Sequence, residues 1–344
     1  MRSDYQENDN MLNNTEIQNI LDHFGLSFQS VTNYYDTSHG DDDIRLNYIL
    51  DDRYVLKVNS AGVMGEERLQ QISRLIGRYR GIGVYCPGMI PTEEGPLSLE
   101  WEKDGRGYIC YVEEFAIYPL YDRDQDHDRR EVVEHLGILA ERYTGVDLSE
   151  TRSMWSIIDL APLDVDVDEK QENTDTLVEE LQKAGYPDLA RQVDQLNDQL
   201  RRRIMTVFTE LPRCVFQGDL NPSNELHKDG HFAGLIDFNL SGTDVNINVF
   251  LNETNWFPEE AEFDKMSIPE IIAEKEARQA DMLSVILRHY GLNDTEKFAL
   301  PFYQRIVDLF QYPDVCQMVK WLKEPERKEK CAKLIRALID KPMK

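Results

Sequence analysis

Ile17, Ile20, Leu21 and Phe24 recur at the spacing of one helix face, which predicts a short amphipathic helix ahead of a β-rich stretch that begins near Phe28. From Arg45 to Asn59 the chain reads RLNYILDDRYVLKVN, with apolar and polar residues alternating around Asp51-Asp52, the pattern of a hairpin. Leu69, Ile72, Leu75, Ile76 and Tyr79 return to helical spacing, and Gly81 and Gly83 end that helix. Two further strands fit around Leu97 to Trp101 and Tyr108 to Phe115. Beyond Tyr118 the period lengthens. Val132, Leu136, Leu139 and Tyr143 mark one long helix, and Leu189, Val193, Leu196, Leu200, Ile204 and Val207 mark another. The acidic stretch between them, LAPLDVDVDEKQENTD, reads as a solvated loop. The order of elements predicts an α+β chain with a small antiparallel sheet and one main helix over residues 1–115. A mostly helical region follows over residues 116–344, the change falling near 115 to 120.

Composition sharpens this outline. A chain of 344 residues exceeds the size at which one core usually stops growing, so two lobes are predicted. Thirty-eight Lys plus Arg against 64 Asp plus Glu give a net charge of −26, which argues against a general nucleic-acid binder and favours a cationic ligand. Neither a secretory h-region nor a bilayer-length apolar run is present, so no membrane partner is predicted. The five cysteines include no C-x-x-C pair and read as reduced thiols of a cytoplasmic protein, without a disulfide framework or zinc knuckle. The lysine-rich tail from Lys323 reads as a solvated helix face.

Chemistry concentrates after the second long helix, in RCVFQGDLNPSNELHKDGHFAGLIDFNLSG. Two short apolar strands, Cys214 to Phe216 and Phe232 to Ile236, flank a polar turn. Asp219 follows the first strand, Asn224 lies five positions later, and Asp237 follows the second strand, so the three can converge in one cleft. Phosphoryl transfer needs a carboxylate near the acceptor hydroxyl, oxygen ligands for Mg²⁺ and a cation on the remaining phosphates. Asp219, Asn224 and Asp237 supply the first two.

The stretch QGDLNPSN followed by IDF resembles the aminoglycoside phosphotransferase and choline-kinase group of small-molecule kinases, whose pattern is His-Gly-Asp, four residues, Asn, and then Ile-Asp-Phe or Ile-Asp-Trp. The resemblance implies a two-lobed protein-kinase-like fold, with Asp219 as catalytic base and Asn224 and Asp237 as Mg²⁺ ligands. It further implies ATP or GTP as donor and a small-molecule hydroxyl as acceptor, with cationic aminoglycoside, choline-like and amino-alcohol molecules as the candidates. It extends to the first hairpin, where Val55 and Lys57 alternate onto one face as the adenine-contacting and phosphate-holding positions. The helix that follows should offer Lys57 a glutamate, with Glu67 preferred over Glu66 and Gln71 as the alternative register. Backbone groups of Glu114 and Ala116 are implied at the adenine edge.

This chain departs from the family pattern at two places. Gln217 stands in place of histidine, at a position that supports the loop. In TSHGDDD, Asp41, Asp42 and Asp43 stand where a glycine-rich phosphate cover would be, and they read as solvated turn residues. These departures motivate a competing reading, a nucleotide-binding pseudokinase or regulatory module without turnover. The acidic runs at 121–126 and 164–172 would focus a negative potential on a cationic acceptor if they line its cleft. His227 and His231 flank a hairpin turn, and His135 lies among apolar helical positions; all three read as structural.

Overall fold

A computed structural model describes residues 12–40, 42–60, 62, 64–122, 128–157 and 168–342. In chain order the elements begin with α1 (Asn14–Asp22), β1 (Val31–Asp36), β2 (Arg45–Leu50), β3 (Tyr54–Ser60), α2 (Glu66–Gly81), β4 (Met89–Ile90), β5 (Leu99–Lys103) and β6 (Arg106–Glu114). There follow α3 (Arg129–Tyr143), α4 (Glu169–Lys183), α5 (Pro187–Met205), β7 (Arg213–Phe216), β8 (Glu225–Lys228), β9 (His231–Leu235) and β10 (Gly242–Val245). The chain then runs through α6 (Asn246–Glu253), α7 (Glu260–Lys265), α8 (Ile268–Leu287), α9 (Asp294–Phe310), α10 (Tyr312–Lys323) and α11 (Pro325–Asp340). Two compact units result: Met1–Asp122 with Ser223–Ile236, and Arg123–Pro222 with Asp237–Lys344.

The first unit is built on an antiparallel sheet in the order β1-β2-β3-β6-β4, with β5 also paired to β6. Helix α1 starts at a capping box in which Asn13 accepts the N–H groups of Thr15 and Glu16 and Glu16 accepts that of Asn13. Such a cap contributes about 1 kcal/mol, whereas its buried Ile17, Ile20 and Leu21 gain about 1.5–3 kcal/mol each. Burial therefore holds the helix and the cap sets where it begins. That helix covers Leu46, Tyr48, Leu50, Leu56, Val58, Cys110 and Val112. Alternation then turns Val55, Lys57, Tyr111 and Glu113 to the opposite face. In the β2–β3 turn Asp51 and Asp52 both take φ 52°, and the Asp51 carboxylate accepts the N–H groups of Gln29 and Ser30, which hold it below its ordinary range.

The hairpin β8–β9 is the returning part of this unit. Tyr85 N–H donates to the Ala233 carbonyl and Leu235 N–H to that of Tyr85, both within 3.0 Å. A Cβ on Gly234 would lie 2.0 Å from the Tyr85 oxygen, so the backbones meet only because that residue is glycine. His227 packs on Tyr121, ring centres 4.9 Å apart, in keeping with its hairpin role. Asp42 is exposed, while Asp43 is fork-bonded to Arg45 at 2.8 Å rather than simply solvated; Asp41 lies outside the described residues.

The second unit packs α4, α5, α9, α10 and α11 around one apolar core, in which Trp321 stacks on Phe263 with ring centres 3.7 Å apart. Part of the predicted acidic loop is helix α4. Asp168 caps it and forms two bonds with Arg201, at 2.6 and 2.7 Å, while Lys170, Asn173 and Thr174 are buried. The helix escapes an apolar-period reading because polar partners line part of its buried face. Residues 158–167 and 123–127, which hold much of the two acidic runs, lie outside the described residues. The lysine-rich tail is α11, and Cys331, Leu334, Ile335 and Leu338 bury one side of it. None of the five cysteines is in a disulfide, and among the described residues no helix is long and apolar enough to cross a membrane.

Candidate active site

Strand β7 pairs antiparallel with β10, Phe216 facing Gly242, and carries the chain into Gln217-Gly218-Asp219. Gln217 is fully buried and bonds in two directions. Its Oε1 accepts the Asp219 N–H at 2.7 Å, and its Nε2 donates to the Asp237 carbonyl. One amide side chain therefore ties both strand-end aspartates to a common brace. An amide carries an acceptor and a donor at its tip, so glutamine can make both bonds from the position where the family has histidine. Gly218 has φ 84°, and a Cβ there would lie 2.2 Å from the Leu240 carbonyl oxygen, so no other residue fits.

Residues remote in sequence complete the loop's support. Trp155 Nε1 donates to the Gly218 carbonyl at 2.6 Å. Arg129, on the first turn of α3, donates to the Leu220 carbonyl and pairs with Glu253. Behind Trp155, Asn248 donates to the Trp155 carbonyl at 2.8 Å and to both oxygens of Asp244 at 3.1 and 3.2 Å. Burial pushes the Asp244 carboxyl up to about 7, against bonds from Asn248, the Val245 N–H and Ser153.

Asp219 is half-buried, and its Oδ1 accepts Asn221 Nδ2 at 2.6 Å. Asp237 has φ 56°, a conformation costly for a non-glycine residue and maintained here by Gln217. Its carboxylate accepts the Asn239 N–H at 3.2 Å and forms no ion pair among the described residues. Lone pairs thus remain for a hard cation. Asn224 is buried and opens the segment that returns to the first unit, where its carbonyl accepts the Ile236 N–H. No cluster of three His, Cys, Asp or Glu side chains suited to a metal occurs among the described residues. Carboxylate and amide oxygens alone fit Mg²⁺, which keeps waters and takes substrate phosphate oxygens as its other ligands.

In the first unit, β3 and β6 align Val55 with Glu113 and Lys57 with Tyr111. Lys57 Nζ lies 3.0 Å from Glu113 Oε2 and 5.8 Å from the centre of the Tyr111 ring. The expected pairing with Glu67 is not present: Glu67 is exposed at the start of α2. Glu66 accepts the N–H groups of Leu97 and Ser98 and the Ser98 hydroxyl, and Gln71 bonds Arg68. Burial works against ionisation of Glu66, but the bonds from Ser98, Gln70 and Leu97 outweigh it and hold its carboxyl below the usual range. At the end of β6 the Glu114 N–H donates to the Gly88 carbonyl at 2.8 Å, which removes it from any donor role toward a ligand. Ala116 is half-buried in the connector that follows.

Glu113 could have been found in the sequence, since alternation through YICYVEEF puts it on the Lys57 face. Trp155 and Arg129 carry no such signal: they lie 63 and 91 residues from the carbonyls they hold.

Residues 38–245, more than half of the chain, match the family model described as the phosphotransferase enzyme family. No curated protein matches. Among solved structures, a microcompartment-associated aminopropanol kinase superposes with TM-score 0.51 at 13% identity, covering 94% of this chain and 95% of its own. An amicoumacin kinase in complex with AMP-PNP, Ca²⁺ and Ami gives TM-score 0.53 at 14% identity, covering 94% of this chain and 93% of its own. At these identities the likeness establishes the two-lobed, kinase-like fold.

Proposed function

Because the chain belongs to the phosphotransferase enzyme family (APH), we propose that it is a kinase that transfers the γ-phosphoryl group of ATP or GTP to a hydroxyl of a small molecule. The observation that carries this reading is the Gln217 brace, which fixes Asp219 and Asp237 at one loop base. Asp219 is the general base: it orients the acceptor hydroxyl and takes its proton as the oxygen attacks. Asn224 and Asp237 are the residues that would hold Mg²⁺, which when bound offsets the charge of the phosphate oxygens. Lys57 holds the non-transferred phosphates, Val55 contacts the adenine face, and the backbone of Glu114 and Ala116 meets the base edge through groups other than the Glu114 N–H. The net charge of −26 supports an acceptor that carries amino groups, and five cysteines outside any disulfide fit a cytoplasmic location.

The competing reading, a module without turnover, draws on Gln217, on the acidic 41–43 loop and on the choice of Glu67 as partner of Lys57. Gln217 makes bonds to both aspartate backbones, so the first of these motives falls away. The test is release of ADP or GDP by the purified protein with Mg²⁺ across amino alcohols, choline-like amines, aminoglycosides and neutral sugars. Asp219→Ala should lower turnover about 10²- to 10⁴-fold and leave Mg-nucleotide affinity near wild type. Turnover by Asp219→Ala above about a tenth of wild type would remove Asp219 from the base role. The absence of acceptor-stimulated release across the panel would favour the module.

A further inference from the structure

We propose that Glu113, a residue of the sheet, is the positioning residue for Lys57, and that no glutamate of α2 performs this task. The inference rests on the reading of Lys57 as the lysine that holds the non-transferred phosphates. Three observations carry it. The first is contact: Lys57 Nζ and Glu113 Oε2 are 3.0 Å apart, with side chains only 12% and 19% exposed, so water screens the pair little. The second is register. Val55 faces Glu113 and Lys57 faces Tyr111 across β3 and β6, which makes Lys57 and Glu113 diagonal neighbours on one sheet face. The third is the state of the alternatives, since Glu66 is engaged by Leu97, Ser98 and Gln70, and Glu67 is exposed without a bond to Lys57.

The consequence is mechanical. A glutamate on a helix positions its lysine only while the helix is docked, so helix movement can switch the site. A glutamate on the adjacent strand is fixed by ladder hydrogen bonds, and the lysine's place is then set whenever the sheet is formed. An ammonium has three N–H donors, so a bond to Glu113 does not preclude bonds to phosphate oxygens. The carboxylate limits the rotamers of a flexible four-carbon stem and supports its positive charge.

Calorimetric titration tests this with whichever of Mg-ATP and Mg-GTP the wild-type protein binds more tightly, and with the matching nucleoside, which has no phosphate. Glu113→Gln should weaken Mg-nucleotide binding about tenfold, or about 1.4 kcal/mol, with nucleoside affinity unchanged. Glu113→Asp, which keeps the charge and shortens the reach, should fall between that variant and wild type. Glu67→Gln should match wild type. In a Lys57→Ala background, Glu113→Gln should add nothing further, because its effect runs through Lys57. Wild-type or tighter Mg-nucleotide binding by Glu113→Gln, alongside weakened binding by Lys57→Ala, would overturn the proposal and leave the role of Lys57 intact. Equal losses for nucleotide and nucleoside would make Glu113 a structural residue and also overturn it. If Glu113→Gln does not fold, wild-type Mg-nucleotide affinity in Glu113→Asp or a loss in Glu67→Gln decides against it. Lys57→Ala with unchanged Mg-nucleotide affinity would instead sink the underlying reading.

Discussion

Lys57 and Asp219 are held by different physics. In the first unit Lys57 sits mid-strand, and its place follows from the β3–β6 register and a cross-strand carboxylate. In the second unit Asp219 lies beyond the end of β7, and its loop is held by side chains that bond the backbone: Gln217, Trp155 and Arg129. A strand supplies regular hydrogen bonds for any sequence that can adopt it. A loop has no such ladder, and each buried backbone group there needs a dedicated partner. The lysine's backbone is thus placed by the sheet, and one cross-strand carboxylate orients its side chain, whereas the aspartate's backbone itself depends on several individual side chains.

The hardest test of that contrast is at Gln217. Gln217→Ala should remove both the Asp219 and the Asp237 bonds and, with Asp219 as the proposed base, lower kcat about a hundredfold, because a shift of about 1 Å in such a group costs on that order. Gln217→His, which restores a side chain with two ring nitrogens, should recover part of the loss. An alanine variant with kcat within about threefold of wild type would show that the strand end alone places Asp219.

A milder test is Trp155→Phe, which keeps the aromatic ring and deletes the bond to the Gly218 carbonyl. One lost hydrogen bond is worth about 0.5–1.5 kcal/mol, so kcat should fall up to about tenfold. Mg-nucleotide affinity should stay unchanged, since Lys57 lies on the other support. A fall in nucleotide affinity with constant kcat would mean that Trp155 serves binding rather than the loop.

The same contrast explains what could be read in advance. Strand alternation made the hairpin around Asp51-Asp52 and the face of Val55 and Lys57 legible, and strand-end aspartates separated by a polar turn marked Asp219 and Asp237. The family resemblance points to α2 for the partner of Lys57, whereas two-residue alternation along β6 puts Glu113 on the face of Lys57. Helix α4 was hidden because Lys170, Asn173 and Thr174 are buried polar residues, and apolar periodicity cannot register them. The return of β8 and β9 to the first unit was hidden for another reason: it depends on backbone bonds to Tyr85, about 150 residues earlier, which leave no local pattern beyond a glycine at 234.

The smallest expected effect separates the two supports by pH. Asp244 stands behind the loop, bonded through Asn248 to Trp155, and burial raises its carboxyl from an ordinary 3.8 to about 7. The native state therefore holds this proton more tightly than the unfolded chain. The stabilisation from that tighter hold is present in full below about pH 4, declines as pH rises, and is lost above about pH 7. The slope from one such group is at most about 1.4 kcal/mol per pH unit. Asp168, Glu169, Glu296 and Asp314 are raised in the same direction, chiefly by burial, so the wild-type curve alone cannot isolate Asp244. Asp244→Asn can, because its side chain is neutral throughout. Urea denaturation at pH 5 and pH 8 should show the variant's stability, relative to wild type, improving on the order of 1 kcal/mol or more toward pH 8. Parallel wild-type and Asp244→Asn stabilities at the two pH values would mean that Asp244 does not titrate between them, and that the loop's deeper support carries a constant charge.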